Sequence, residues 1–479
     1  MDYTKRNIFL PVAALMAAFT MGVFIVSTGL IGVATLAFIP FGLLFFWYMM
    51  THPNKAIYAT VIFAFVSIGA SRYIPNIPLG LTVDFGLILA LISGAFHTRI
   101  KTDFSKIKNG LMLVCAIWMV YNIVQIINPE ARSMAAWTYA VRGSALYMVL
   151  TVPLTLLYAP RAKDLDIFIK LILFFSILAA LWGLKQHFIG LDNAETGWLD
   201  QGPRSTHVLF GNLRIFSFFS DAGQFGAGIA HAGVIAAVLA MGPFKLKLRM
   251  VSALCALLFF YLMVLSGTRG ALMVPLAGFL VYFGASKNYK IMVLGLVALG
   301  TVFLFLKFST LGNDYYQIRR MRSALDPQDA SLNVRKVNQR KMAEYLKTRP
   351  FGGGIGTSGY WGQRFSPGTF LADTPNDSWF VKIWAETGIV GLSLYTLILL
   401  YIGLMALFKI WKVENPQLRQ KLLALLAGYV GIAMASIGNP LLGQMPTGIV
   451  LYMSWAYLFL AQDMDRGLLD KSLNPPKNG

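Results

Sequence analysis

The chain has 479 residues, of which 57% are hydrophobic and only 13% are charged. Soluble domains carry about 25% charged residues, so this composition excludes an ordinary soluble enzyme and predicts a chain whose solvent is lipid. The formal net charge of +20 does not point to a nucleic-acid partner, because most basic residues lie in short loops between apolar segments, where they set membrane topology. Cys115 and Cys255 lie inside apolar segments, so neither a disulfide framework nor a thiolate metal site is expected.

Apolar segments recur along the whole chain. A membrane-spanning helix needs roughly 20 mostly apolar residues, and about 12 to 14 segments meet that criterion. They begin near Ile8, Leu30, Ala56, Leu79, Leu111, Met134, Leu165, Ala222, Met250, Ala271, Ile291, Trp379, Leu422 and Ile449. The predicted fold class is therefore an all-α, polytopic membrane protein with one large loop.

Basic residues alternate between the predicted loops. If the N-terminal segment with Lys5 and Arg6 is cytoplasmic, every second loop should be basic. The predicted inner loops hold Lys55, Arg99, Lys101, Lys106, Lys108, Arg161, Lys163, Lys245, Lys247, Arg249, Lys287, Lys290, Lys409, Lys412, Arg419 and Lys421, and the tail adds Arg466, Lys471 and Lys477. The short outer loops that begin at Ser71, Asn128 and Gly438 carry little charge. This pattern predicts cytoplasmic termini and a working face on the outer side.

Five parts follow from this topology. They are N-terminal membrane helices (1–189), an outer loop (190–220), central membrane helices (221–308), a large outer loop (309–378), and C-terminal membrane helices with a cytoplasmic tail (379–479). In the large loop, NVRKVNQRKMAEYL predicts an amphipathic helix with Val334, Val337, Met342 and Leu346 partly on one face. A glycine-rich turn follows Pro350.

Arginines on the outer side contradict the positive-inside rule and are therefore candidates for function. Arg269 lies in SGTRGAL, where Gly267 and Gly270 would let a guanidinium and the backbone approach a phosphate closely. Arg214 precedes the eighth apolar segment, in RIFSFFSDAGQFG. The structural alternatives are an interfacial arginine in a turn for Arg269 and an ion pair with Asp221 for Arg214.

Further basic residues have two interpretations each. Arg142 lies inside the sixth apolar segment and either pairs with Asp84 or lines a polar cavity. The large loop contains 10 basic and six acidic residues. A charged loop is often only a solvated face, but a basic excess on this side indicates an anionic partner.

Groups that could transfer a proton are few on the outer side. His207 lies in the first long outer loop and Asp377 lies where the large loop re-enters the membrane, whereas His52 and His97 lie at cytoplasmic loop edges. The structural alternatives are a packed side chain for His207 and a helix N-cap for Asp377. No motif with metal-ligand or nucleotide-binding spacing is present, so we expect neither a metal nor a cofactor.

The chemistry that fits these residues is glycan transfer from a lipid-linked pyrophosphate. Guanidinium groups bind phosphate bidentately and stay charged at every relevant pH. Fixed arginines would stabilise the charge that the departing pyrophosphate gains in the transition state. The acceptor hydroxyl would then need a general base, for which Asp377 and His207 are the candidates.

Four local patterns, in order, resemble the O-antigen ligase and polymerase superfamily of bacterial membrane glycosyltransferases. RIFSFFSDAGQFGA, from Arg214, is similar to the arginine-led motif before a mid-chain helix, and SGTRGAL is similar to a Ser-x-Ser-Arg-Gly turn. The stretch from Arg335 through RPFGGGIGTS resembles a loop helix that ends in Pro-x-x-Gly-x-Gly. DSWFVKIWAETGIVG, from Asp377, resembles the re-entry motif His-Asn-x-x-Leu followed by Glu-x-Gly.

This resemblance implies a C-type glycosyltransferase-like fold in the bacterial inner membrane, with a large periplasmic loop and an undecaprenyl-pyrophosphate-linked glycan as donor. Arg214 and Arg269 would hold the pyrophosphate, assisted by Arg335 or Arg340 from the loop. Arg142 and His207 complete the candidate substrate-binding set. The histidine of the family's re-entry motif is replaced by Asp377, so either an aspartate acts as base here or the acceptor differs.

The predicted function is a metal-independent, inverting glycosyltransferase that acts on the periplasmic face, as an O-antigen ligase or a polysaccharide polymerase. The acceptor would be a glycolipid, a growing glycan or a protein, and membrane lipids surround the chain. The alternatives are a protein O-oligosaccharyltransferase of the same superfamily and a polysaccharide flippase or other transporter. A transporter often shows internal repeats, and the sequence contains no long repeat.

Overall fold

The computed structural model describes residues 3–74, 77–96, 102–209, 211–286, 289–326 and 328–473. His97, Arg99, Lys101, Lys287 and Lys477, which enter the topology prediction, lie outside the described residues. The described chain is almost entirely helical. Its two strands, β1 (Val208–Leu209) and β2 (Asn212–Leu213), form a short antiparallel pair.

Twenty-two α-helices make up the described fold. In chain order they are α1 (Tyr3–Thr28), α2 (Leu30–Thr51), α3 (Pro53–Ala70), α4 (Leu81–Phe96), α5 (Gly110–Val124), α6 (Met134–Val141), α7 (Tyr147–Tyr158), α8 (Ala162–Phe188), α9 (Asn193–Asp200), α10 (Arg204–His207), α11 (Ala222–Ala240), α12 (Leu246–Leu265), α13 (Met273–Ala285), α14 (Tyr289–Phe308), α15 (Tyr316–Arg322), α16 (Ala330–Leu346), α17 (Gly359–Phe365), α18 (Phe370–Asp373), α19 (Trp379–Trp411), α20 (Pro416–Ala435), α21 (Thr447–Phe459) and α22 (Ala461–Leu473).

An apolar helix corresponds to every predicted membrane segment. Within the described residues, 8 helical stretches are long and apolar enough to cross a membrane, and shorter apolar helices account for the remaining segments. One of the long stretches joins α6 to α7 through a π-helical turn at Arg142–Leu146. The prediction of an all-α, polytopic membrane protein is confirmed.

The centre of the helix array is α11, whose residues are nearly all buried. Small residues let neighbouring backbones come close: a Cβ on Gly278 of α13 would lie 2.8 Å from the carbonyl oxygen of Ala427 on α20. A Cβ on Gly431 of α20 would lie 2.5 Å from the carbonyl oxygen of Val274 on α13. Close backbone packing of this kind stabilises helix pairs in lipid, where burial of apolar side chains contributes little. It also holds the turn before α13 firmly in place.

One end of the helix array carries the longest connections of the described residues, and we call it the loop face. It is formed by residues 71–74, 125–133, 190–209, 211–221, 266–269, 309–326, 328–378 and 436–446. Hydrogen bonds tie these segments to one another. The Asn128 amide donates to the carbonyl oxygen of Gly352 over 3.2 Å, and the backbone N–H of Trp379 donates to the carbonyl oxygen of Ser436 over 3.0 Å.

The amphipathic helix predicted in the large loop is present as α16, and only two of the four apolar residues predicted on one face are buried. Met342 and Leu346 are buried, whereas Val334 and Val337 are 58% and 47% exposed. Only the C-terminal half of α16 packs against α19, where Met342 and Leu346 meet Ala385. The N-terminal half covers the cavity described below.

The glycine-rich segment after Pro350 docks on a kink in α19. Gly388 interrupts the helix with a φ of 67°, a conformation that favours glycine. The backbone N–H groups of Gly353 and Gly354 donate to the carbonyl oxygens of Ala385 and Glu386, each over 2.9 Å. The large loop is thereby fixed to the membrane helix beneath it.

Candidate functional site

The turn 266–269 between α12 and α13 is the centre of the candidate site, and Arg214 lies across it. The guanidinium of Arg214 donates to Thr268 Oγ1 over 2.9 Å and to the carbonyl oxygen of Ser266 over 3.3 Å. Gly267, with a φ of 60°, faces the stem of Arg214; an added Cβ would lie 3.5 Å from Cγ. Asp221 instead caps α11, accepting from the backbone N–H of Gln224 over 2.9 Å, so the Arg214–Asp221 ion pair is not formed.

Arg269 connects this turn to the start of α16. Its guanidinium pairs with Asp329 and donates to Ser323 Oγ over 3.2 Å. Asp329 is also the N-cap of α16, accepting from the backbone N–H of Leu332 over 3.0 Å. Arg269 and Arg335 line one cavity of about 170 Å³. The apolar wall of that cavity is formed by Leu272, Met273, Leu276, Phe303 and Leu306.

Arg320 is a third arginine at the same turn, and sequence reasoning did not single it out. Its Nε donates to the carbonyl oxygen of Gly267 over 3.0 Å. Burial lowers the pKa of Arg214 to about 10, and the charges of Arg320 and Arg269 add to the effect. Burial and the charge of Arg269 likewise lower the pKa of Arg320.

The three guanidinium groups carry more positive charge than their surroundings compensate. Asp329 pairs with Arg269, but no carboxylate of the described residues forms an ion pair with Arg214 or Arg320. Arginine remains protonated at neutral pH even when its pKa falls to about 10. Like charges held this close are unfavourable unless an anion joins them. The turn therefore has the electrostatics of an anion-binding site.

Asp377 lies beside Arg335 at the start of α19. Arg335 Nε and Asp377 Oδ2 are 3.3 Å apart, and both side chains are partly exposed. The helix N-cap is Ser378, whose side chain accepts from the backbone N–H of Val381 over 3.4 Å. The alternative that made Asp377 the N-cap is therefore wrong. Its carboxylate is left to face the large loop.

Buried hydrogen bonds fix the backbone before Asp377. The amide of Asn376 donates to Ser358 Oγ over 2.9 Å, and Ser358 Oγ donates to Glu386 Oε1 over 2.8 Å. Glu386 is fully buried in α19. These bonds join the glycine-rich segment, the re-entry loop and α19 into one rigid unit that carries Asp377.

Asn439 also reaches the turn, and only the structure reveals it. An added Cβ on Gly270 would lie 2.1 Å from Asn439 Nδ2, so Gly270 makes room for this amide beside Arg269. Asn439 Nδ2 is buried and has no hydrogen-bond partner among the described residues. The only signal in the sequence is that Asn439 lies in a loop on the same side of the membrane as Arg269.

Arg142 is not brought to this cluster. Its guanidinium pairs with Asp84, with 2.9 Å between Nε and Oδ1, and donates to the Tyr147 hydroxyl over 2.9 Å. The structural alternative predicted for Arg142 is the arrangement found. Its charge is compensated inside the helix array.

His207 and Arg340 also lie apart from the cavity. His207 is buried between the rings of Trp198 and Phe216, at 5.2 Å from each, and burial lowers its pKa. Its carbonyl oxygen accepts from the backbone N–H of Arg214 over 2.8 Å, so the residue supports Arg214. Arg340 is exposed on α16, about 140° around the helix from Arg335.

Acidic, histidine and cysteine side chains, which could hold a metal ion, lie scattered through the described residues. No three of them come together.

One family model matches this chain. Residues 254–396 match the model described as O-antigen ligase, and no curated protein matches the chain. The matched region contains the turn 266–269, the large loop and the start of α19, and therefore Arg269, Arg320, Arg335 and Asp377. Arg214 and Asn439 lie outside the matched region and meet it in space.

Proposed function

We propose that this multi-pass membrane protein is a glycosyltransferase of the O-antigen ligase and polymerase superfamily, in keeping with the family match over residues 254–396. It moves a glycan from undecaprenyl pyrophosphate to an acceptor hydroxyl at the loop face. The observation that carries the proposal is the set of three arginines around the turn 266–269. Arg214 and Arg320 have no carboxylate partner among the described residues, and Arg269 lines a cavity with an apolar wall. A lipid-linked pyrophosphate has both the charge and the apolar chain that this arrangement favours.

The arginines would act mainly on the leaving group. Pyrophosphate gains negative charge as the bond to the sugar breaks, and fixed guanidinium groups stabilise that charge without reorganising. Arg214 and Arg320 are already held by backbone carbonyl oxygens, so little side-chain entropy is lost when the ligand binds. The buried amide of Asn439 adds an unpaired donor at the same place. No metal is required for this role.

Transfer would follow a single displacement. The acceptor hydroxyl gives its proton to the Asp377 carboxylate, and its oxygen attacks the anomeric carbon. The bond between that carbon and the pyrophosphate oxygen breaks, and its electron pair leaves with the pyrophosphate. Attack opposite the leaving group inverts the anomeric configuration. The pair between Arg335, on α16, and Asp377, which directly precedes the N-cap of α19, would place the base at the rim of the cavity.

The proposal includes an orientation in the bacterial inner membrane. We place the loop face in the periplasm and both termini in the cytoplasm. Support comes from the basic residues at the opposite end of the helices, such as Lys245, Arg249 and Lys412, which follow the positive-inside rule. An undecaprenyl-linked glycan would then meet the site after reaching the outer leaflet.

Transfer by the purified full-length protein tests this function. The donor is an undecaprenyl-pyrophosphate glycan, and parallel reactions contain lipid A-core, a second lipid-linked glycan or protein as acceptor. We expect product with a glycolipid or glycan acceptor, undiminished by EDTA. Arg214→Lys, Arg269→Lys and Arg320→Lys should each slow transfer about 100-fold or more, because lysine cannot reproduce bidentate phosphate binding.

Arg364→Lys is the matched control, since Arg364 is an exposed arginine of the large loop that lies against the Phe365 ring. Its activity should equal that of the unaltered protein. Full activity in all three cluster variants would disprove the arginine site, and product on protein alone would identify an O-oligosaccharyltransferase. Donor moved across vesicles without transfer would identify a flippase.

A further inference from the structure

A second cavity opens on the loop face, apart from the arginine cluster. Its volume is about 330 Å³, within the range of small-molecule sites. It lies between the loop that contains Glu130 and Arg132, the end of α16, and the segment that leads into α18. From the geometry and chemistry of this cavity we infer that it is a saccharide subsite, which binds sugar units of a glycan substrate; this inference rests on the proposed function.

The polar groups of the cavity are held in place before any ligand binds. Arg349 Nε donates to Glu130 Oε1 over 3.0 Å, and Nη1 donates to the carbonyl oxygen of Tyr345 over 3.0 Å. The guanidinium also stacks on the Tyr345 ring at 4.2 Å, and that ring stacks on Phe370 with centroids 4.4 Å apart. Because these side chains are already ordered, a ligand that uses them loses little affinity to side-chain entropy.

The opposite wall offers hydroxyl oxygens. Thr357 Oγ1 donates to the carbonyl oxygen of Gly354 over 2.7 Å, and Thr369 Oγ1 donates to that of Ser366 over 2.9 Å. Each hydroxyl therefore donates its hydrogen bond to the backbone, and its oxygen lone pairs can accept hydrogen bonds from a ligand. At the rim, the exposed guanidinium of Arg132 has no partner among the described residues and is available as a donor.

This lining matches sugar hydroxyls better than phosphate. Each sugar hydroxyl both donates and accepts, and the cavity offers acceptors at Glu130, Thr357 and Thr369 beside donors at Arg132 and Arg349. A pyrophosphate can only accept, and it would be repelled by the Glu130 carboxylate. The charge of Arg349 is moreover already paired with Glu130, unlike the charges of Arg214 and Arg320.

The distance from the arginine cluster suits a chain of sugars. Arg335 and Tyr345 lie ten residues apart on α16, which corresponds to about 15 Å along the helix axis. The Tyr345 side of the cavity thus lies beyond the sugar that reacts at the Arg335–Asp377 pair. It is well placed to hold sugars further along a glycan, whether that glycan belongs to the donor or to the acceptor.

Direct binding tests the subsite without requiring transfer. The probe is a set of short oligosaccharides released by mild acid from the polyprenyl-linked glycans of the host cell, and binding is followed by saturation-transfer NMR. Thr369→Trp, which projects a large ring into the cavity, should weaken binding about tenfold or more. Arg132→Ala should weaken it less, about threefold, without affecting folding because Arg132 is exposed and has no partner among the described residues. Arg364→Ala should bind the oligosaccharides as the unaltered protein does.

Transfer kinetics identify the source of the sugars. If the subsite serves the donor glycan, Thr369→Trp raises KM for the donor and leaves KM for the acceptor unchanged; if it serves the acceptor, the reverse holds. Unchanged binding in both Thr369→Trp and Arg132→Ala, or no oligosaccharide binding to the unaltered protein, overturns the inference even where transfer succeeds. So does binding of inorganic phosphate that Arg132→Ala removes, since that marks an anion site. Binding with no transfer refutes the proposed function alone.

Discussion

At the scale of single residues, the partners of an arginine decide what it is able to bind. Arg142 and Arg269 both interrupt or border apolar segments, and their sequence contexts are equally unusual. The guanidinium of Arg142 is satisfied by Asp84 and the Tyr147 hydroxyl, so little of its charge remains for a ligand. Arg269 shares its turn with Arg214 and Arg320, and of the three only Arg269 forms an ion pair with a carboxylate of the described residues, that of Asp329. Excess charge, not the mere presence of an arginine, marks the anion site.

Asp377 is the residue whose change separates catalysis from binding. Asp377→Asn keeps the size of the side chain but removes the proton acceptor, so we expect turnover to fall roughly 100-fold or more. Binding of undecaprenyl pyrophosphate should change less than about threefold, because the arginines hold it. Steady-state rates and a separate donor titration measure the two effects. Turnover equal to that of the unaltered protein would exclude Asp377 as the base.

Asp373→Asn is the matched control for that experiment. It makes the same change of charge on an exposed aspartate of α18, in the same loop. We expect the turnover and the donor affinity of this variant to equal those of the unaltered protein. Equal losses in the two variants would attribute the effect to the net charge of the loop.

At the scale of secondary-structure elements, the docking of the glycine-rich segment on α19 makes the site rigid. Gly352 and Gly388 both have positive φ, at 74° and 67°, and an added Cβ on Gly352 would lie 2.4 Å from the backbone nitrogen of Gly388. Two backbones approach this closely only where neither residue has a side chain. The start of α19, the loop and the end of α16 therefore move together.

Gly388→Ala should disrupt this docking. Its Cβ would lie 2.0 Å from the carbonyl oxygen of Pro350, and its φ disfavours alanine, so we expect a loss of about 3 kcal/mol or more in unfolding free energy. Unfolding in detergent and proteolysis within residues 352–358 report the effect. Gly284→Ala is the control, because nothing lies within 4 Å of a Cβ at that helical position. Equal stability of both variants would contradict the docking argument.

At the scale of the whole molecule, the helix array separates two unlike ends. The loop face holds the arginine cluster, the Arg335–Asp377 pair and the second cavity. The opposite end holds basic connections, and near them Lys421 of α20 pairs with Asp166 of α8 over 2.5 Å. Apolar helices at the periphery, such as α14, expose most of their side chains to the surrounding lipid. Under the proposed function, this asymmetry would give the substrate access from one leaflet only.

The proposed orientation is testable by labelling in intact cells. In a background of Cys115→Ser and Cys255→Ser, Ser205→Cys lies exposed on the loop face and Gln417→Cys lies exposed at the opposite end. With the outer membrane permeabilised, an impermeant maleimide should label Ser205→Cys at once. Gln417→Cys should react only after the inner membrane is opened. Reversed labelling would place the loop face in the cytoplasm.

The sequence by itself determined the helices, their order and the region of the site. Every predicted membrane segment corresponds to a helix because a run of apolar residues in lipid must satisfy its backbone locally, which depends on nearby sequence alone. Arg269 and Asp377 could also be identified from local sequence, because a charged side chain next to a membrane-spanning segment is energetically costly.

Tertiary structure alone decided which of these residues meet. Arg320 reaches the carbonyl oxygen of Gly267 across 53 positions of the chain, and Asn439 reaches Gly270 from another loop. Local sequence does not encode such contacts, because they depend on how helices pack and where loops fold back. Tertiary packing likewise distinguishes Arg142 from the arginines of the candidate site. The charge of Arg142 is compensated by Asp84, which lies 58 positions earlier in the chain, whereas Arg214 and Arg320 form no ion pair with a carboxylate of the described residues.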